Sequence, residues 1–329
     1  MAMKAQDHAV HGAHEHEHEH GVHQGGRSHG HGHAHGGHGH GHIHAEPGDW
    51  RYGLAIGLNL TIVVAEAVFG LLANSTALVA DAGHNLSDVL GLVLAGVAAW
   101  LARRPAQGRR TYGFGKATVL AALTNGVVLM FVSGAIVVEA IQRLFNPQPV
   151  GTGVVMIVAL IGVVANTATA LMFTKGHEDV NKRGVFLHMA GDALISVGVI
   201  IAAGLISLTG WLWIDPAVSI VIIAVIVAGT WGLLGEAIDL ALDAAPSGAD
   251  VDRIQAFLGD CEGVTDVHDL HVWAMSTTEP ALTAHLVRPE HDGDDAFRHG
   301  LAHALEERFG VRHATLQIEK ARDAHCPEC

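Results

Sequence analysis

The chain has 329 residues, half of them apolar, and a positive mean hydropathy, which sets it apart from ordinary soluble domains. A formal charge of −14, with 26 histidines counted as neutral, argues against a nucleic-acid partner. Three cysteines, two of them near the C-terminal end, provide no disulfide framework and fit a reducing cytosol.

Residues 1–49 alternate His with Gly, Ala and Glu and hold 15 of the 26 histidines. Such a segment buries no core and is expected to be a disordered cytoplasmic tail. Neutral imidazole is a common zinc ligand, so its expected role is accessory metal collection. No secretory signal is expected: the opening is polar, and the first apolar run is too long and lacks a cleavage motif.

Six apolar runs follow, at about 52–73, 76–101, 117–142, 151–174, 184–208 and 213–236, each near the ~20 residues that a bilayer requires. Short connections make neighbouring helices antiparallel. Arg103, Arg104, Arg109 and Arg110 lie between the second and third runs, and Lys175, Lys182 and Arg183 between the fourth and fifth. The loops at 73–76 and 209–215 carry no basic residue. The positive-inside rule therefore predicts cytoplasmic termini in a cell (plasma or inner) membrane, with Trp211 and Trp213 in the outer interfacial belt.

The organisation expected is thus the tail at 1–49, a six-helix transmembrane domain at 50–240, a soluble domain at 247–322 and a tail at 323–329. In the soluble part, 250–260 and 294–309 read as helices, and 264–275, 280–287 and 312–320 as strands. The order αββαβ predicts a small, ferredoxin-like open α/β sandwich, helped by dimerisation because its core is small.

The second run contains His84 and Asp88, four residues apart and so on one helix face, with Asp81 and Asn85 on the same stripe. The fifth repeats the spacing with His188 and Asp192. Ionisable groups at membrane depth cost at least ~2.5–3.5 kcal/mol each on insertion scales, which makes them functional by default. Two imidazoles and two carboxylates complete the four-ligand shell that zinc prefers, and the carboxylates balance a divalent charge. The bland alternative is a pair of interhelical salt bridges. Metal and protons compete for such ligands, so the site suggests an exchange in which inward protons displace outward zinc. No nucleophile–base arrangement or phosphate loop is present, and an enzyme is not expected.

Other polar groups have two readings. Arg110, Tyr112, Gly113 and Lys116 open the third run as a gate or ion pair, or as interfacial anchors. Asp239 and Asp243 either pair with these bases or are solvated. Asn59, Glu66, Asn125, Glu139, Asn166 and Thr169 make interhelical hydrogen bonds or line a water path, Glu66 and Glu139 being the better path candidates. Cys261 reads as a small buried apolar side chain. His268 alternates poorly with His271 and reads as a surface residue or an added member of a site, and His291, His299, His303 and His313 read as solvated.

Residues 50–329 resemble the cation diffusion facilitator family in its zinc-transporting branch. The resemblance is carried by Ala80–Asp88, by His188–Asp192, by Arg110–Lys116 (RTYGFGK) and by His268–Trp273 (HDLHVW). It implies six spans, a homodimer, zinc/proton antiport, and His84, Asp88, His188 and Asp192 as transport ligands. It also implies a metal-responsive cytoplasmic domain whose ligands are His271, His285 and Glu319, joined by Cys326 and Cys329 of the C-terminal Cys-x-x-Cys. In zinc transporters of this family a His-rich segment often lies between the fourth and fifth spans; here the histidines are N-terminal. The rivals are a transporter of cobalt, cadmium, nickel or iron, and a membrane-bound zinc sensor or buffer without flux.

Overall fold

The computed structural model describes residues 50–172, 180–290 and 295–322. The His-rich tail, Lys175, His291, Cys326 and Cys329 lie outside the described residues.

Six helices come first: α1 (Trp50–Leu72), α2 (Thr76–Ala102), α3 (Ala117–Phe145), α4 (Thr152–Met172), α5 (Val180–Thr209) and α6 (Ile214–Ala241). Helices α2 to α6 are long and apolar enough to cross a membrane, and Gly57–Leu72 of α1 forms a shorter apolar stretch. Large apolar side chains such as Phe131, Leu194, Leu208 and Trp231 project outward, where only lipid or another protein surface relieves their exposure. Trp211 and Trp213 are exposed and stacked at the turn into α6.

Helix α2 is the hub, packed on α1, α3, α5 and α6. Small residues let the helices approach: Ala77, Ala80, Ala159 and Ala203 are buried among Leu78, Val155, Val199 and Ile223. The α1–α2 turn is tight, with Asn74 in the left-handed region (φ 54°) that its short polar side chain tolerates. Ser75 then caps α2 by accepting from the Leu78 amide.

A second cap comes from far along the chain. Asp215, at the start of α6, accepts from Ser75 Oγ at 2.5 Å and from Thr76 N and Oγ1, both at 2.7 Å. A buried carboxylate thus meets the positive end of the α2 dipole and several donors at once. This fastens α2 to α6 at the end away from the basic loops.

The remaining elements are α7 (Val251–Gly259), β1 (Asp266–Ala274), β2 (Pro280–Val287), α8 (Asp295–Phe309) and β3 (His313–Glu319). The αββαβ order and three strands are those expected. The sheet runs β1-β2-β3, antiparallel across the hairpin and parallel between β2 and β3, whose crossover is α8. Ile254 and Leu258 of α7 and Leu301 and Leu305 of α8 close its core over Leu282 and Leu286.

The domains meet where α3 begins. Lys116 Nζ donates to Leu240 O at 2.8 Å and to Asp243 Oδ1 at 2.6 Å, a cation at the carbonyl end of α6. Of the two readings for Asp243, the ion pair is therefore the one observed. The β1–β2 hairpin tip rests on the same corner: Thr277 N donates to Thr118 Oγ1 at 3.1 Å. A Cβ on Gly115 would come within 2.6 Å of Met275 O, so only glycine permits this approach.

Candidate metal centre

The two His-x-x-x-Asp pairs face each other. His84 Nε2 lies 3.4 Å from Asp192 Oδ1, and His188 Nε2 lies 3.3 Å from Asp88 Oδ2. The i,i+4 separations within each helix are slightly longer, 3.8 Å and 3.7 Å. Because each close contact joins the His of one helix to the Asp of the other, α2 and α5 must run antiparallel. Donors about 2.0–2.1 Å from a tetrahedral ion are about 3.3 Å apart, close to the two cross-helix distances. One ligand atom from each of His84, Asp88 and Asp192 lies within 4.8 Å of the others, with His188 beside them.

Exposure within the quartet is uneven. The side chains of His84 and Asp192 are 9% and 2% exposed, whereas Asp88 and His188 reach 18% and 22%. Asp88 and His188 both lie toward the end that carries Arg103 and Arg104. The quartet thus has a closed side and an open side.

Beyond the closed side lies a second group. Glu66 and Asp81 are wholly buried; Asn85 Nδ2 donates to Glu66 Oε2 at 3.0 Å, and Ser196 Oγ to Asp81 Oδ2 at 2.9 Å. Glu66 is thus inside the bundle, as a path residue requires. Glu139 is not: half exposed, it pairs with Arg143 near the α1–α2 turn.

In the soluble domain the expected ligands divide. His285 Nδ1 lies 3.0 Å from Glu319 Oε1, and His268 Nε2 lies 3.2 Å from Glu319 Oε2. One ligand atom from each of His268, His285 and Glu319 lies within 4.8 Å of the others. His268 is therefore no surface residue; it is buried directly opposite His285 in the register. His271 is turned outward, with a side chain 60% exposed, and meets Asp269 Oδ1 at 2.9 Å.

A bulge lies between His268 and His271, where Asp269 takes a positive φ of 50°. Three residues apart, His268 and His271 would lie on opposite faces of a regular strand. The extra residue pairs them with His285 and Thr283, two apart on β2, so both lie on the face of His285, His268 buried and His271 at the exposed edge. Asp269, unmarked by any sequence pattern, then bridges the two sets through His285 Nε2 at 3.5 Å. Its only advance signal was its short polar side chain, which tolerates that conformation.

Cys261 is half-buried and donates to Phe257 O at 3.3 Å. Burial and then Asp260 push its thiol above the ordinary value, which keeps it protonated and a poor metal ligand. His299, His303 and His313 are exposed, His313 standing edge-on to Tyr112.

A bundle of apolar helices whose facing His–Asp pairs could hold a metal ion, joined to a small α/β module, points to a membrane transporter of cations. Residues 54–240 match the family described as cation efflux transmembrane domain, and 246–321 match the cation efflux protein cytoplasmic domain. The chain belongs to the cation efflux (cation diffusion facilitator) family; it is a multi-pass membrane transporter of metal cations and not an enzyme. It is 37% identical over 279 residues to "Zinc transporter ZitB" of Escherichia coli (strain K12), covering 84% of this chain and 88% of that protein. To the "Cadmium, cobalt and zinc/H(+)-K(+) antiporter" of Bacillus subtilis (strain 168) it is 34% identical, covering 80% and 86%. To "Metal cation efflux system protein CzcD" of Cupriavidus metallidurans it is 33% identical, covering 82% and 85%.

Proposed function

We propose that the chain is a zinc/proton antiporter that exports zinc from the cytoplasm, with His84, Asp88, His188 and Asp192 as the site the ion occupies in transit. The observation that carries this reading is the pair of cross-helix His–Asp contacts at 3.4 Å and 3.3 Å, near the edge of a zinc tetrahedron. Zinc is favoured over harder ions because half of the donors are imidazoles. Cadmium and cobalt, which appear in the name of one relative, are expected to compete with it, and manganese to compete less.

The basic loops put both termini and the soluble domain in the cytoplasm. In that orientation Asp88 and His188 are the cytoplasmic half of the quartet, and their greater exposure supports a state open inward. Zinc enters by displacing protons from the quartet. A shift of α2 and α5 against their neighbours then closes that side and opens the other, where incoming protons release the ion. Two antiparallel helices that share four ligands suit such a movement, since they can shift as one unit with the cross-helix pairs kept together.

The soluble domain is assigned dimerisation with a second copy of the chain and a regulatory zinc site of His268, His285 and Glu319, with Asp269 and His271 at its rim. Cys326 and Cys329 remain proposed additional ligands. Residues 1–49 are assigned metal collection, so removing 1–44 should change apparent affinity and leave flux.

The test is zinc uptake by proteoliposomes in which the imposed pH gradient is varied at constant zinc gradient. Uptake should rise with protons supplied on the side opposite to zinc. A rate that ignores a collapsed pH gradient rules the antiport out.

A further inference from the structure

The buried carboxylates of Glu66 and Asp81 take no part in the metal shell, and their surroundings do not account for them as ions. Both residues have no exposed surface. Together they have four carboxylate oxygens, but the hydrogen-bond donors that reach them are the neutral Asn85 amide and Ser196 hydroxyl. Among the described residues Glu66 Oε1 and Asp81 Oδ1 have no hydrogen-bond partner, and neither has Asn85 Oδ1, an acceptor in the same group. Gly162 of α4 walls the group: a Cβ there would lie 3.0 Å from Glu66 Oε1 and 3.4 Å from Ser196 Oγ. The oxygens thus converge where α1, α2, α4 and α5 cross.

The charged groups within reach are Asp81, Asp192 and His84 for Glu66, and Asp192 and His84 for Asp81. Three carboxylates therefore share one region with one imidazole, which already belongs to the quartet. A buried carboxylate without a counter-charge costs several kcal/mol even after relaxation, so two adjacent ones do not both stay ionised. A bound proton relieves the repulsion and supplies the donor that the unpartnered oxygens lack.

We propose that Glu66 and Asp81 form a proton-holding site separate from the metal ligands, loaded from the outside when zinc leaves and emptied to the cytoplasm when zinc binds. Its place fits this. Asp81 and Ser196 each lie about one helical turn beyond the quartet, toward the end of the bundle assigned to the exterior. A divalent ion in the quartet stabilises the ionised pair through Coulomb attraction, and the proton departs; once the ion is gone, repulsion from Asp192 draws a proton back. The proton bound to a carboxyl oxygen leaves as H⁺, its bonding electrons remaining on the carboxylate. The proposal rests on the antiport reading above, since without proton coupling the site has no traffic.

The experiment is proton release on zinc binding by the purified full-length protein, read with a pH dye, alongside equilibrium zinc binding at pH ~8, where competition for imidazole is weakest. Glu66→Gln, neutral and of the same shape, should bind zinc as wild type does and release about one proton fewer per ion. Ser196→Ala keeps both carboxyls and removes one donor to the ionised form, so it should move the midpoint of release to higher pH. Wild-type release in Glu66→Gln together with an unmoved midpoint in Ser196→Ala overturns the second site and leaves antiport standing. Loss of zinc binding in Glu66→Gln also overturns it, since Glu66 would then serve the metal shell. Wild-type protein that releases no protons sinks both readings.

Discussion

The chain brings imidazoles and carboxylates together twice, once between two helices and once on a sheet, and the two clusters are built differently. Between the helices, the His and Asp residues come in i,i+4 pairs on regular helices, so each helix presents its pair without distortion and only the α2–α5 crossing has to be right. On the sheet the donors come from three strands, and β1 bulges just after His268, which brings His271 onto the same face. A site between helices that shift can open to either side in turn; a site on hydrogen-bonded strands holds its geometry. That contrast suits the two proposed roles, a cargo that must leave and a regulatory ion that stays.

The sharpest way to break the comparison is to remove one ligand from each cluster. Asp88→Ala or Asp192→Ala should lower zinc flux by about two orders of magnitude or more, beyond the 10–100-fold typical of groups that merely support ligands. Both proteins should still insert and dimerise, as size-exclusion chromatography will show. A folded variant with near-normal flux would return the quartet to the salt-bridge reading.

The corresponding change on the sheet should act on stability and leave transport in place. Zinc at about 100 times its dissociation constant should stabilise the wild-type soluble domain by about 2.7 kcal/mol, and Glu319→Ala should lose most of that gain. Thermal unfolding of the full chain with and without zinc measures it. Equal zinc stabilisation in both proteins would place the regulatory ion elsewhere.

A smaller effect tests the bulge. Asp269→Val puts a β-branched residue at positive φ and should cost about 1–2 kcal/mol, whereas Asp269→Asn, which tolerates that conformation, should cost far less. Equal losses would mean that the carboxylate matters and the backbone does not.

The same contrast explains what could be read beforehand. The helical spacing of His84 with Asp88 and of His188 with Asp192 is a local property, and so the quartet was legible from residue order. The bulge was not: His268 and His271, three apart, fall on opposite faces of a regular strand, and the positive φ falls on an Asp where no glycine marked it. Likewise Asp215 read as the end of a loop, because the donors it caps lie 139 and 140 residues earlier and meet it only once the bundle has formed. Glu66 and Glu139 looked alike as acids in apolar helices; only packing separates the buried one from the one at the surface.

The central claim is that four side chains from two helices hold one ion. X-ray absorption at the zinc edge tests it most directly, on protein lacking residues 1–44 and carrying alanine at His268, His271, His285 and Glu319 and serine at Cys326 and Cys329. The account predicts one zinc with two imidazole nitrogens and two oxygens at about 2.0–2.2 Å. Sulfur in the shell, a single imidazole, or an unchanged spectrum after Asp192→Ala would contradict it.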